Sequence, residues 1–541
     1  MRGLFISLFL ILICLDVRGQ YFNYVLGDSY THNFEETIHS SKNIHTSFRP
    51  LVNLHSLYNQ ADSLTKNSNS WLYKKIFLED LVILNGENYR LTASPIINFS
   101  IGTELVDNQN TFKNTRGYIL EGNLGKHIRF FSSLTENQAT FPNYLNNYIV
   151  NNNIVPGQGY ARDFKDRGFD YSMSSGNITY KLNDMFVLQF GHGKHFIGDG
   201  YRSLLLSDNT FNYPYLRVQT KFWKIEYTNL YTEFQDIRYF ENNSLSNTDQ
   251  IGYPKKYMSA HYLSFNANEK LNIAFFESVV WRMNHAPGSS GFDINYLNPI
   301  VIFRPIEFSL NSPDNVLIGI NTKYNIQSKS FIYAQLILDE FSLNDLRENN
   351  GFWANKYGYQ LGYKTFNLLG ISNLSVQTEF NLVRPYTYAH HNPQQNYAHY
   401  NQPLAHPLGA NFSELLFISR YIKGKWELSA RLILAKYGGS FTNDSISYGN
   451  DVYQSTGQFQ EPNGFIYGGR PDDFNINLYH GNKSFINTRI FDLAYIINPK
   501  TNLKVNLQIL QRDFKDKESN QKTNFFSFGL VSDLFNHYYD F

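Results

Sequence analysis

The chain has 541 residues, a formal net charge of +1, and equal shares of charged and aromatic residues at 17% each. So even a charge balance excludes a basic nucleic-acid surface and gives no sign of nucleic-acid partners. The 40 Tyr and 45 Phe suit β-strands that meet an apolar phase on one face and water on the other.

At the start, Met1-Arg2, an apolar run from Leu4 to Leu15 and Val17-Arg18-Gly19-Gln20 read as a signal peptide over residues 1–19, cut near Gly19. The run is too short to cross a bilayer as a helix, and no later segment offers the roughly 18 apolar residues that crossing needs. Cys14, the only cysteine, follows Ile13 rather than a small residue, which opposes lipid attachment. The processed chain then has no cysteine, so disulfides, thiolate metal sites and a Cys nucleophile are excluded.

Residues 20–88 are polar up to Ser70, and Trp71-Leu72-Tyr73-Lys74-Lys75-Ile76-Phe77 then suits a short amphipathic helix; this segment is expected in the periplasm. From residue 89 to 541 the pattern changes to period-two alternation. Strands are predicted at 89–105, 117–125, 126–138, 168–182, 185–190, 215–222, 223–236, 257–267 and 271–283. The second half adds 316–326, 330–341, 356–366, 374–384, 411–422, 426–437, 485–497, 503–514 and 523–535, roughly 18 strands in all, an even number. Tight gaps such as Gly125-Lys126, Asn183-Asp184 and Lys423 to Lys425 alternate with long ones such as 139–167, 284–315, 385–410 and 438–484. Short turns at one end and long loops at the other predict an all-β transmembrane antiparallel barrel. Within one strand, Leu374, Val376, Thr378, Phe380 and Leu382 are expected to face lipid, and Ser375, Gln377, Glu379 and Asn381 a wet lumen.

Four segments carry candidate chemistry. Gly191-His192-Gly193-Lys194-His195-Phe196-Ile197-Gly198-Asp199-Gly200 lacks the G-x-x-x-x-G-K-[ST] spacing of a phosphate loop, so Gly191, Gly193, Gly198 and Gly200 are read as a rim motif where the chain bends inward. His192, His195 and Asp199 make a weak metal pattern, and no metal or other cofactor is expected. The apolar stretch Asp293 to Phe308 is expected to fold back and narrow or plug the lumen. In Tyr386 to Pro407, a loop placed outside by the strand count, Tyr397, His399, Tyr400 and His406 are the glycan-binding candidates. Flat rings stack on pyranose faces and the neighbouring amides bond hydroxyls. The final Phe541, with Tyr539 and Phe535 before it, is expected to lie in the last strand and to serve barrel assembly. Scattered His and Asp and the lack of G-x-S-x-G give no catalytic triad, and the chain is read as a non-enzyme.

The blocks Gly191 to Asn209, Asp293 to Asp314 and Asn396 to Asn411 resemble the outer-membrane family that includes the capsule-assembly protein Wzi, with most similarity to its Bacteroidota gliding-motility member RemB. The resemblance runs from Trp71-Leu72-Tyr73-Lys74-Lys75 to Tyr538-Tyr539-Asp540-Phe541. It implies an 18-stranded barrel with a small periplasmic helical part, a role in surface polysaccharide attachment or motility, and no catalytic residues. Expected partners are outer-membrane lipid, surface polysaccharide and other motility or envelope proteins; the alternative is a passive porin or small-solute channel.

Overall fold

The computed structural model describes residues 26–41, 44–52, 70–238, 253–282, 293–300, 302–310, 314–442, 444–457, 459–460, 466–467 and 469–541. The expected signal peptide at 1–19 lies outside them. Eighteen antiparallel strands form a closed barrel. In chain order they are β1 (Tyr89–Glu104), β2 (Gln109–Leu124), β3 (Ile128–Ala139), β4 (Gly168–Lys181), β5 (Phe186–Gly193), β6 (Tyr213–Phe222), β7 (Ile225–Gln235), β8 (Lys255–Asn266) and β9 (Leu271–Arg282). They continue as β10 (Asn315–Gln327), β11 (Ser330–Leu338), β12 (Tyr357–Phe366), β13 (Leu374–Val383), β14 (Phe412–Lys423), β15 (Trp426–Gly439), β16 (Asn482–Asn498), β17 (Leu503–Lys515) and β18 (Asn520–Ser532). Each pairs with its sequence neighbour, and β18 closes on β1 through Phe525↔Glu104 to Val531↔Asn98. Val82–Asn85 and Arg162–Phe164 add short outer pairings. Each predicted strand is present with ends shifted by a few residues, except that β2 begins at Gln109, well before the predicted Gly117.

Alternation decides what each face meets. Along β13 the odd positions Ser375, Gln377, Glu379 and Asn381 are buried inside, and the even positions point out. The outward set around the barrel is apolar and exposed, with Ile101 at 70% and Phe190 at 66%. A belt of that size on a closed barrel requires a lipid phase around it, and closure leaves no unpaired edge within it. Among the described residues no helix is long and apolar enough to cross a membrane.

Two parts of the expected layout are corrected. The segment before β1 does not stand apart from the barrel. Helix α1 (Asp28–Ser40) and residues 44–49 enter the lumen at the short-turn end, where Glu35 meets Lys364 of β12 and Asp28 meets Arg420 of β14. The last strand stops at Ser532, so Phe541 is not part of it; residues 533–541 turn back into the lumen, where the Phe541 carbonyl accepts a bond from Arg512 at 3.0 Å. The polar inner wall offers this tail charged partners that a lipid-facing strand could not. Helix α2 (Trp71–Phe77) forms where the amphipathic run predicts it, capped by Ser70.

Candidate functional site

The lumen is filled from both ends. From the long-loop end, residues 194–212 between β5 and β6 descend inward and meet residues 44–49 coming up. Phe48↔Ile197 and Arg49↔Phe196 form a two-stranded antiparallel link in the barrel interior. Glycine makes the approach feasible. Gly198 has φ of +144°, and a Cβ there would lie 2.5 Å from Gln335 Nε2; at Gly200 it would lie 2.3 Å from a Glu379 carboxylate oxygen. Gly191 packs as closely against the backbone of Gly176 and Asn177, whereas Gly193 has more room. The four glycines therefore trace the bend from β5 into the lumen and its contact with the far wall.

Beyond them Arg202 is fully buried and organises the plug. Its guanidinium donates to Glu414 from Nε at 3.3 Å and Nη2 at 3.1 Å, and to Asp540 at 3.0 Å. Its backbone N–H and that of Tyr201 donate to Glu379 at 3.1 and 2.9 Å, and its carbonyl accepts from Gln360 at 3.0 Å. Arg431 reaches the Tyr201 hydroxyl at 2.9 Å, and the Tyr538 hydroxyl donates to Asp208 at 2.7 Å. One arginine thus ties the loop, the C-terminal tail and three wall strands together, in a dry setting where such charge-assisted bonds are strong.

The N-terminal part is held in the same way. Lys364 donates to both Glu35 oxygens at 2.9 and 2.7 Å. Burial would raise the Glu35 carboxyl, but Lys364 and His32 beside it hold it well below the usual range. Ser47 donates to Asp199 at 2.6 Å, with Lys323 at 4.0 Å. Burial first, then Lys323, keeps His39 well below the usual imidazole range, so it is neutral at pH 7.

His192, His195 and Asp199 are not brought together. His195 packs on Tyr213 and Tyr215, His192 sits beside the Ser174 carbonyl, and Asp199 is taken by Ser47. Among the described residues no three His, Cys, Asp or Glu side chains converge on a metal position.

Three of the four glycan candidates are inside the fold, which corrects the expected exposure of the whole loop. Tyr397 is fully buried, its hydroxyl donating to the Leu205 carbonyl at 2.7 Å and its ring stacked on Tyr388. His399 accepts from the Gln235 amide at 3.1 Å, and burial pushes its pKa down to about 3. His406 meets Glu414 at 2.8 Å and stacks on Phe412. These rings clamp the loop onto the plug.

Tyr400 differs. It occupies the tip of the hairpin Ala398–His399/Gln402–Pro403, with φ of +53° at Tyr400 and +56° at Asn401. Two positive φ values at the tip of a two-residue hairpin are the geometry that usually selects Asn-Gly, and a tyrosine held there is strained. Its half-buried ring lies 4.7 Å from Phe211 and 6.5 Å, edge-on, from Tyr253. Partial burial, then the nearby Tyr253 and Tyr160, push its hydroxyl up to about 12. Tyr160, itself exposed, and Arg162 complete an aromatic patch with a cationic edge at the long-loop end. Sequence alone did not single out Phe211, Tyr253 or Tyr160, because they come from three separate loops. Glu379, Glu414 and Arg202 left a usable signal: two carboxylates at inward strand positions need a buried cation, and Arg202 closes the glycine motif.

The stretch Asp293 to Phe308 does not plug the lumen in its described residues. It lies on the outer face of β7 to β9, with Tyr231 and Tyr227 donating to the Leu297 and Pro299 carbonyls.

No protein-family model and no curated protein sequence matches this chain. Among solved structures it is similar to Wzi of Escherichia coli, an outer-membrane protein involved in group 1 capsule assembly and described as a carbohydrate-binding β-barrel. The likeness has 13% identity and a TM-score of 0.53, and covers 94% of this chain and 99% of that one. Pseudomonas aeruginosa OprD matches at 9% identity and TM-score 0.41 over 84% of this chain and 98% of its own. P. aeruginosa OpdK with vanillate matches at 8% and 0.41 over 84% and 99%. At these identities the likeness concerns architecture: this chain shares the fold of a capsule-assembly outer-membrane barrel.

Proposed function

We propose that the chain is a non-catalytic barrel of the outer membrane, exported by its N-terminal signal, that retains polysaccharide at the cell surface. The observation that carries this is Tyr400, strained at a hairpin tip and grouped with Phe211, Tyr253 and Tyr160 where the long loops gather. Aromatic faces of this kind suit the apolar face of a pyranose, and Arg162 adds a donor for an acidic sugar. The E. coli neighbour's carbohydrate binding points the same way. The rim glycines serve this function by turning residues 194–212 inward, which supports the patch from below. A part in gliding motility or in capsule assembly, with envelope-protein partners, rests on the sequence resemblance to RemB and Wzi.

Binding of purified surface polysaccharide to the reconstituted barrel, wild type against Tyr400→Ala, tests the reading; equal binding would remove it. A second reading, a narrow channel for small solutes, is favoured by a cavity of about 280 Å³ left between the plug and the wall, lined by Lys113, Arg431, Asp492 and Lys504. Single-channel conductance separates the two, since a barrel that only retains glycan stays closed.

A further inference from the structure

Strand parity fixes which side chains of β7 to β9 face outward. On β8, Lys256, Met258, Tyr262 and Ser264 point in, for they meet Asn396, the buried core and His45. Tyr257, Ser259 and His261 therefore point out. On β9, Ala274, Phe276 and Val280 belong to the inner core, so Phe275, Glu277, Val279 and Trp281 point out. On β7, Leu230 and Phe234 are inside and Tyr227, Asn229 and Tyr231 outside.

This outer face is unusual for a barrel wall. Asn229, Ser259, His261 and Glu277 make a polar stripe at the depth of the apolar belt: Glu277 pairs across the sheet with Ile318 of β10, which is outward and 44% exposed. Polar groups on a lipid face are unfavourable unless covered. They are covered by the described residues of the 293–310 segment. Phe303 stacks on His261 at 4.1 Å and donates its backbone N–H to Glu277 at 2.9 Å; Tyr296 packs on Trp281 at 4.8 Å and donates to Asp314 at 2.6 Å. The opposite side of the same segment presents Ile294, Ile300 and Ile302, exposed at 74%, 85% and 63%. Pro299, between them, is bonded to Tyr227, only four residues from exposed Trp223 at the short-turn end.

We infer that residues 293–300 and 302–306 form an external flap that runs down the outside of the barrel into the membrane, and that the occupant of its isoleucine face is the acyl-chain layer of the bilayer. The flap hides the polar stripe beneath it and replaces it with an apolar surface continuous with Phe275 and Ile318. A loop counted as extracellular is then a lipid-contact element.

The test places one fluorophore at Ile300→Cys or Ile302→Cys, in a Cys14→Ser background, in the full chain reconstituted into phosphatidylcholine vesicles. Phe275→Cys on the bare wall and Tyr160→Cys at the rim serve as references. Spin-labelled acyl chains should quench Ile300→Cys as strongly as Phe275→Cys, and aqueous iodide should quench it several-fold less than Tyr160→Cys. Glu277→Leu, which removes the Phe303 anchor, should raise iodide access while heat-modifiable mobility shows an intact barrel. Iodide quenching equal to Tyr160→Cys would overturn the inference, as would shielding from both quenchers with a dimer on the native gel, which would make the surface an interface between copies.

Discussion

The wall and the plug of this molecule are held by opposite means. In the wall each strand finds its partner next in the chain, and side chains contribute mainly by having the right polarity on the right face. In the lumen the decisive partners are distant: 338 positions separate Arg202 from Asp540, and 329 separate Glu35 from Lys364. The wall therefore tolerates exchange among apolar residues at outward positions. The plug depends on individual charges whose loss leaves a buried partner short of a counter-charge.

Arg202→Met should separate the two regions most sharply. Removing the guanidinium leaves Glu414 with His406 and Asp540 with Arg431 as their remaining partners in a dry interior, a loss of up to about 3–5 kcal/mol for a broken buried ion pair. The barrel should still form and keep its heat-modifiable mobility, because no wall hydrogen bond is lost. The plug should loosen, seen as channel opening in planar bilayers and as protease cleavage within residues 194–212. Unchanged conductance and protection would show that the arginine is dispensable.

Acid should act on the same region with a somewhat smaller effect. Burial keeps His39 well below its ordinary value of 6.5 and brings His45 from 6.5 down to about 4. Both are neutral when docked, and an undocked histidine takes up a proton near 6.5, so docking is unaffected above that pH and weakens as pH falls below it. Both histidines therefore oppose docking at pH 5.5 and not at pH 7.5. The Glu35 carboxyl is depressed and stays ionised in this window, so its bond to Lys364 opposes undocking until far lower pH. Exchange protection of amides in α1, compared at pH 7.5 and 5.5, should fall while that of the wall strands does not change.

The tail sets a third contrast. Asp540→Asn keeps the shape but removes the charge that Arg202 and Arg431 share, a loss of about 1.5–3 kcal/mol for a bond to a charged group. Deleting residues 533–541 should likewise loosen the plug and leave membrane levels normal. The sequence placed an assembly role on Phe541; with the tail inside the lumen, the aromatics that the last strand presents outward are Phe526 and Phe528, both exposed on the wall, and the prediction moves the role to them. Immunoblots of membrane fractions would distinguish the tail deletion from Phe526→Ser with Phe528→Ser, which should deplete the protein.

The wall was legible because period-two alternation needs no knowledge of distant partners. Leu374 to Leu382 announce their face by themselves, as do Leu503 to Ile509. The plug was not legible, since the same loop can leave the barrel or enter it without changing its composition. Tyr397, His399 and His406 are as suited to stacking in a core as to stacking on a sugar, and only the Leu205 carbonyl, the Gln235 amide and Glu414 decide which. The stretch Asp293 to Phe308 was read as folding back into the lumen, but apolarity alone does not say whether such a segment folds against the inside of the barrel or the outside. Of the glycan candidates Tyr400 remains at the surface, and its positive φ is a backbone property that residue type conceals.

The smallest expected effect is at that residue. Tyr400→Ala removes one stacking face from a patch that keeps Phe211, Tyr253 and Tyr160, so affinity for polysaccharide should fall by about 1 kcal/mol, roughly five-fold. Alanine keeps the Cβ and with it the left-handed strain, and the half-buried ring at the hairpin tip packs mainly on Phe211, so melting should fall only slightly. Tyr397→Phe is the matched control: it deletes the buried hydroxyl that bonds the Leu205 carbonyl, which should lower stability by about 1 kcal/mol and leave glycan binding as it was. If instead Tyr397→Phe weakens binding while Tyr400→Ala does not, sugar recognition depends on the buried clamp, and the surface patch plays no part in it.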